Sequence, residues 1–189
     1  MSNTLESLVV FHCAPVLAGI KPSNIFTWHP SVTEDTEDGI YQLKSILAQY
    51  GVSVECLCSC DRYALIMLCR KELLFKVFSP EAVRFLEKYG YPPEESIDEK
   101  LSRLKSRFKK CGTFPHEIGI FLGYPLEDVA GFIDNRGCGY KLCGDWKVYG
   151  DEKRSRALFE RYRKCAEQFG RRFAAGCHIP QLMDMAQAF

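Results

Sequence analysis

The chain lacks most of the short signatures that announce a chemistry. Its ten cysteines include no C-x-x-C pair, and it contains no H-E-x-x-H, no glycine-rich phosphate loop and no G-x-S-x-G elbow. The sequence therefore offers no signature of a thioredoxin-like redox pair, a zinc protease, a nucleotide-binding loop or an α/β-hydrolase. Low-complexity tracts are absent, and histidine is scarce at four residues. The formal net charge is only +1, which implies no dedicated polyanion partner. Residues 8–20 are apolar, but Glu6 precedes them without any Lys or Arg, and His12 and Pro15 interrupt them. That makes a poor signal peptide and too short a membrane span. A cytoplasmic location without membrane attachment is expected, where thiols stay reduced and structural disulfides are not needed.

What is present is ordinary globular material. With 189 residues, 47% hydrophobic and 26% charged, the chain buries roughly 70% of its unfolded surface. A single domain over 1–189 is expected, with sub-halves 1–93, carrying the sheet, and 94–189, mostly helical. Residues 36–50 place Ile40, Leu43, Ile46, Leu47 and Tyr50 at helical spacing before Gly51. Residues 52–70 are rich in strand formers around Asp61-Arg62 and predict a hairpin. Simple alternation then opposes Cys60 to Tyr63, Cys58 to Leu65 and Cys56 to Met67, and puts Val52, Val54, Cys56, Cys58 and Cys60 on one buried face. Ser79-Pro80 opens a helix that Gly90 closes, Ser96-Ile97-Asp98-Glu99 has capping-box form, and 151–173 is the longest helical stretch. The fold class is α+β: a small antiparallel sheet built on the 52–70 hairpin, extended by 25–28 and 146–149, and covered by several helices mainly on one face, with a helix-rich C-terminal half.

FPHEIGIFLG (114–123) is followed directly by YPLEDVAGFI (124–133), each opening aromatic, Pro, variable, Glu. Two short helices joined at Gly123 follow from that echo. Glu117 matches Glu127 and reads either as a helix-start residue or as a site acid. His116 aligns with the apolar Leu126, so it is either a hydrogen-bonded core histidine or a site residue.

FHCAPVLAGIKPSNIF, FPHEIGIFLGYPLEDVAGFI and GDWKVYGD, in this order and spacing, resemble the bacterial family called domain of unknown function 3793. The resemblance runs over residues 5–165. His12-Cys13-Ala14-Pro15, Gly19, Lys21, Asn24, Phe26, the Pro-His-Glu block and Trp146-Lys147-Val148-Tyr149 carry it. It implies a small bacterial cytoplasmic protein, and it brings no activity, cofactor or site residue with it. Cys56, Cys58, Cys60 and the tail CHIPQLMDMAQAF lie outside the pattern.

The residues themselves suggest candidates. Were Pro15 the first residue of a helix, Cys13 would lie at a helix N-terminus, where its thiolate is favoured and His12 could assist. The alternative is a buried small side chain beside a hydrogen-bonded histidine. His12, Cys13, His116 and Glu117 are thus the catalytic candidates. Lys21, Asn24, Trp146, Lys147 and Tyr149 are candidates for holding a small anionic ligand, Trp and Tyr supplying stacking walls and Lys a cation; in the alternative, the 146–149 aromatics seal the core while Lys147 snorkels. No metal site is expected, because Cys138, Cys143, Cys177 and His178 have no spacing that requires one. KLSRLKSRFKK (100–110) holds six basic residues and no acid, yet its apolar spacing makes it a solvated helix face, so nucleic acid is not an expected partner. Two functional classes remain: a small-ligand or thiol-chemistry site built from the HCAP, PHE and WKVY segments, or a non-catalytic interaction or regulatory module with a protein partner.

Overall fold

Local capping chemistry starts three of the helices. Ser79 Oγ accepts from the Ala82 amide at 3.3 Å to open Pro80–Glu87. At Ile97–Lys110 the Ser96 amide and hydroxyl both donate to Glu99 Oε2 at 2.7 Å, while the Glu99 amide donates to Ser96 Oγ at 3.3 Å. This reciprocal pairing satisfies amides that have no partner inside the helix. Asp151 caps Glu152–Ala174 through the Arg154 amide at 3.0 Å. Gly51 and Gly90 close their helices at φ of +68° and +84°, conformations that cost other residues steric strain.

The computed structural model describes residues 4–30, 36–60, 62–110 and 114–186. The turn residue Asp61, the thiol of Cys111 and the last residues of the tail lie outside them. In chain order the elements are α1 (Leu5–Leu17), β1 (Ser23–Trp28), α2 (Thr36–Ala48), β2 (Ser53–Cys60), β3 (Tyr63–Cys69), α3 (Lys71–Val77) and α4 (Pro80–Glu87). There follow α5 (Ile97–Lys110), α6 (Ile118–Phe121), α7 (Leu126–Asp134), β4 (Leu142–Cys143), β5 (Lys147–Val148), α8 (Glu152–Ala174) and α9 (Ile179–Ala186). The fold is α+β, with an antiparallel sheet in the order β1-β3-β2. The 147–148 segment does not join that sheet; it pairs with β4 in a separate two-stranded ladder.

The hairpin keeps its expected register only near the turn. Cys60 opposes Tyr63 and Cys58 opposes Leu65, but a bulge between Cys56 and Cys58 then moves Cys56 from Met67 to Ile66. One extra residue reverses the parity of a strand. Leu57 therefore turns inward and is fully buried with Met67 and Cys69, whereas Cys58 is half-buried and Cys60 exposed. The expected buried face of alternate cysteines does not form.

Helices cover both faces of the sheet rather than mainly one. Ile66 and Leu68 face a core with Val9, Leu17, Leu47 and Leu182, from α1, α2 and α9. Met67 and Cys69 face the other core, with Leu74, Leu86, Leu104 and Phe121, from α3 to α6. A strand enclosed on both sides carries a continuous apolar run, which is how 64–69 reads.

In the basic run of α5, Lys100, Arg103, Lys105 and Arg107 are tied to protein partners rather than left as a purely solvated face. Lys100 is 3% exposed and donates to the carbonyls of Pro92 at 2.9 Å, Glu95 at 2.5 Å and Pro93 at 3.4 Å. Arg103 pairs with Glu95, Lys105 with Glu55 and Arg107 with the buried Glu117. These cations tie α5 to its neighbours.

Candidate functional site

The site begins where α1 ends. Pro15 lies inside α1, in its last turn, so the expected helix start at Pro15 is replaced by a helix end. Cys13 is completely buried in the core, and burial pushes its thiol up to about 12. A thiol so shielded is a packing side chain, not an activated nucleophile. Arg70 closes the helix, donating to the Val16 and Leu17 carbonyls at 2.7 Å each and to the Tyr50 carbonyl at 2.9 Å. A guanidinium there satisfies orphan carbonyls and complements the negative helix end. The Ile20 and Lys21 amides both return to the Pro15 carbonyl, at 2.9 and 3.0 Å, which turns the chain sharply toward β1.

That turn delivers Lys21 to the floor of a cleft of about 810 Å³. The residue is only 5% exposed. Its Nζ donates to Asn24 Oδ1 at 2.8 Å and lies 5.4 Å and 5.5 Å from the ring centres of Tyr124 and Tyr162. The Asn24 amide in turn donates to the His12 carbonyl. Among the described residues no carboxylate closes an ion pair with Lys21. Asp145, in the loop before β5, is the acid whose charge it feels most, and burial lowers the amine to about 8 against that pull. Partial burial also raises the Asp145 carboxyl, with the Lys21 charge pulling it back. His12 lines the same cleft, with burial lowering its imidazole. Arg156, Phe159 and Arg163 of α8 form the far wall.

A second cavity of about 390 Å³ lies on the other side of the Cys143–Asp145 loop, sharing Asn24, Tyr124, Cys143, Gly144 and Asp145 with the first. Phe132, Phe114 and Trp146 give it an aromatic lining, with His116 and Lys147 among its polar groups. His116 is exposed and packs edge-on to Phe132 at 5.0 Å. Lys147 donates to the Gly137 carbonyl at 2.7 Å and lies 4.9 Å from the Tyr140 ring centre.

Asp128 anchors the loop between the cavities. Buried at the start of α7, it accepts from Trp146 Nε1, the Tyr149 amide and the Gly150 amide, each at 2.7 Å. Trp146, so held, stacks on Tyr124 at 4.7 Å and meets Phe159 edge-on at 4.5 Å. Gly144 is required for that closeness, because a Cβ there would fall 2.3 Å from the Phe159 ring.

The HCAP–Lys21–Asn24 segment, the Pro-His-Glu block and the Trp146 loop thus meet around adjoining cavities. The family described as Protein of unknown function (DUF3793) matches residues 9–183. The chain belongs to the DUF3793 family. No curated protein and no solved structure matches it. The match extends past residue 165, so in this DUF3793 chain the tail residues up to 183 fall within the family region.

Of the residues singled out in this DUF3793 sequence, His12, Lys21 and Asn24 line the larger cleft, and Asn24, His116, Trp146 and Lys147 the smaller. Three candidates stand apart. Cys13 is sealed in the core; Glu117, 1% exposed, accepts from Tyr91 Oη at 3.2 Å and pairs with Arg107; Tyr149 packs its ring against Gly131. Tyr124, Asp145, Tyr162 and Asp128 belong to the site without having been singled out. Asp145 adjoins the aromatic Trp146 and Tyr124 opens the second half of the echo, but Tyr162 reads in sequence only as one position of the long 151–173 helical stretch. No group of three His, Cys, Asp or Glu is placed to hold a metal ion among the described residues.

Proposed function

We propose that this chain is a bacterial cytoplasmic small-ligand-binding protein whose larger cleft takes a small anion at Lys21. The observation that supports this is a buried ammonium in a cavity with one amide oxygen and two ring faces as partners and, among the described residues, no carboxylate in contact. An ammonium taken from water without a counter-ion costs several kcal/mol, which an arriving carboxylate or phosphate would offset. Arg156 and Arg163 on the facing wall add positive charge, although both also pair with acids of α8. The thiol-chemistry side of the sequence expectation has no support from Cys13, so the reading is binding rather than thiol catalysis. A central strand that contributes to both cores supports taking 1–189 as one domain.

The two tryptophans supply the test. Trp28 is buried in the sheet core, whereas Trp146 lines the smaller cavity and stacks on Tyr124, which both cavities share. In a Trp28→Phe background, titration with oxalate and with inorganic phosphate should give a saturable change in Trp146 emission for at least one anion. The change should disappear in Lys21→Met. Absence of saturable change with both anions, together with unaltered thermal melting in their presence, would overturn the proposal.

A further inference from the structure

We propose that Lys21 is an amine nucleophile that condenses with the carbonyl carbon of a small 2-oxo or aldehydic carboxylate held in the cleft, forming an imine. This rests on the anion-binding reading and narrows its ligand to a carboxylate that also carries a reactive carbonyl. The geometry has three parts: an amine on the floor of a cavity, the Asp145 carboxyl lining the same cavity near enough for its charge to act on the amine without an ion pair, and aromatic walls that thin out water.

A buried ammonium can be relieved in two ways, by an incoming anion or by loss of its proton. An oxo acid uses both. Its carboxylate compensates the charged form on entry, and its carbonyl reacts with the neutral form. With the amine brought to about 8 by burial, a usable fraction is neutral near neutral pH. Buried lysines with this property are the ones that form Schiff bases.

The step balances within the site. The Nζ lone pair attacks the carbonyl carbon, and the π electrons of C=O move to oxygen, which takes a proton from the Asp145 carboxyl. Nitrogen then loses a proton to the same carboxylate. Protonation of the carbinolamine hydroxyl expels water, and the nitrogen lone pair forms the C=N bond. Amine and carbonyl give imine and water, and no oxidant or reductant is consumed. Asn24, whose Oδ1 accepts from Nζ and whose amide is tied to the His12 carbonyl, holds the amine in place.

The experiment uses the full-length protein with glyoxylate as probe and cyanoborohydride to trap the imine as carboxymethyl-lysine, located by peptide mapping. An amine near 8 has about a hundredfold larger neutral fraction at neutral pH than an ordinary lysine. Lys21 is therefore expected to label at least about tenfold faster than the exposed Lys88 and Lys153, even with restricted access. Excess oxalate, an anion without a reactive carbonyl, should suppress labelling of Lys21 and leave Lys88 unchanged. Lys21→Arg should abolish labelling at this position and leave labelling of Lys88 and Lys153 unchanged. Labelling of Lys21 no faster than Lys88, with the oxalate response intact, overturns the imine and leaves the anion site standing. Loss of both the labelling preference and the oxalate response overturns both.

Discussion

Two lysines of this protein are buried to nearly the same degree, and their surroundings could hardly differ more. Lys100, 3% exposed, spends its donors on the carbonyls of Pro92, Pro93 and Glu95 and so secures the turn before α5. Lys21, 5% exposed, has one amide oxygen and two ring faces, in a cleft. The first ammonium is fully solvated by backbone and leaves no room for a ligand. The second is incompletely solvated next to open volume, and the proposed anion site rests on that imbalance. A buried charge by itself therefore says little; the inventory of its partners separates an anchor from a site.

The largest effect should come from breaking the anchor. Lys100→Met leaves three carbonyls without their donor and is expected to lower stability by about 4 kcal/mol, read as a fall in the urea midpoint at constant slope. A loss below about 1 kcal/mol would erase the distinction between the two lysines.

The pH dependence of stability sharpens it. Lys21 titrates at about 8 in the folded chain instead of 10.5. Between those values the unfolded chain holds a proton that the folded chain has released, so stability attributable to Lys21 rises with pH across this window. The full penalty, up to about 3 kcal/mol, is present below pH 8. Cys13 and Cys69, both pushed from 9.0 up to about 12, act in the opposite sense above pH 9. The Lys21 contribution is thus best read as the difference between the parent and Lys21→Met over pH 7 to 10.5. That difference should shrink or change sign as pH rises; a flat difference would refute the desolvated amine.

The smallest effect is Lys21→Met itself at pH 7. Removing a poorly compensated ammonium also removes its bond to Asn24, and the net change is expected to lie between zero and about 2 kcal/mol in favour of the variant. Such a variant would be well folded and unable to bind the anion. A loss of stability as large as that of Lys100→Met would make Lys21 a structural anchor after all.

How much of this was legible beforehand follows the range of the interactions. Ser79, the Ser96–Glu99 box, Asp151, Gly51 and Gly90 act on residues three or four positions away, so the helices they bound were readable. The hairpin turn was readable for the same reason. Its far end was not, because a single bulge at Leu57 reverses the parity of every residue before it, and that bulge answers to packing against α3 to α6. The basic run of α5 shows the same limit. Its apolar spacing suggested a solvated face, while the acids that pair with Lys105 and Arg107, Glu55 and Glu117, lie 50 and 10 residues away.

By itself the sequence determined the caps, the stops, the α+β class and the family motifs, and it placed Lys21, Asn24 and Trp146 among the residues worth attention. Only the tertiary structure decided that Cys13 is sealed, that Glu117 is held by Arg107 and Tyr91, and that Lys21 lies by the rings of Tyr124 and Tyr162 and feels the charge of Asp145. The physical reason is that the reactivity of a charged group depends on what replaces its water. For Lys21 only Asn24 is local; Tyr124, Asp145 and Tyr162 come from segments more than 100 residues further along the chain, where no local pattern reports them.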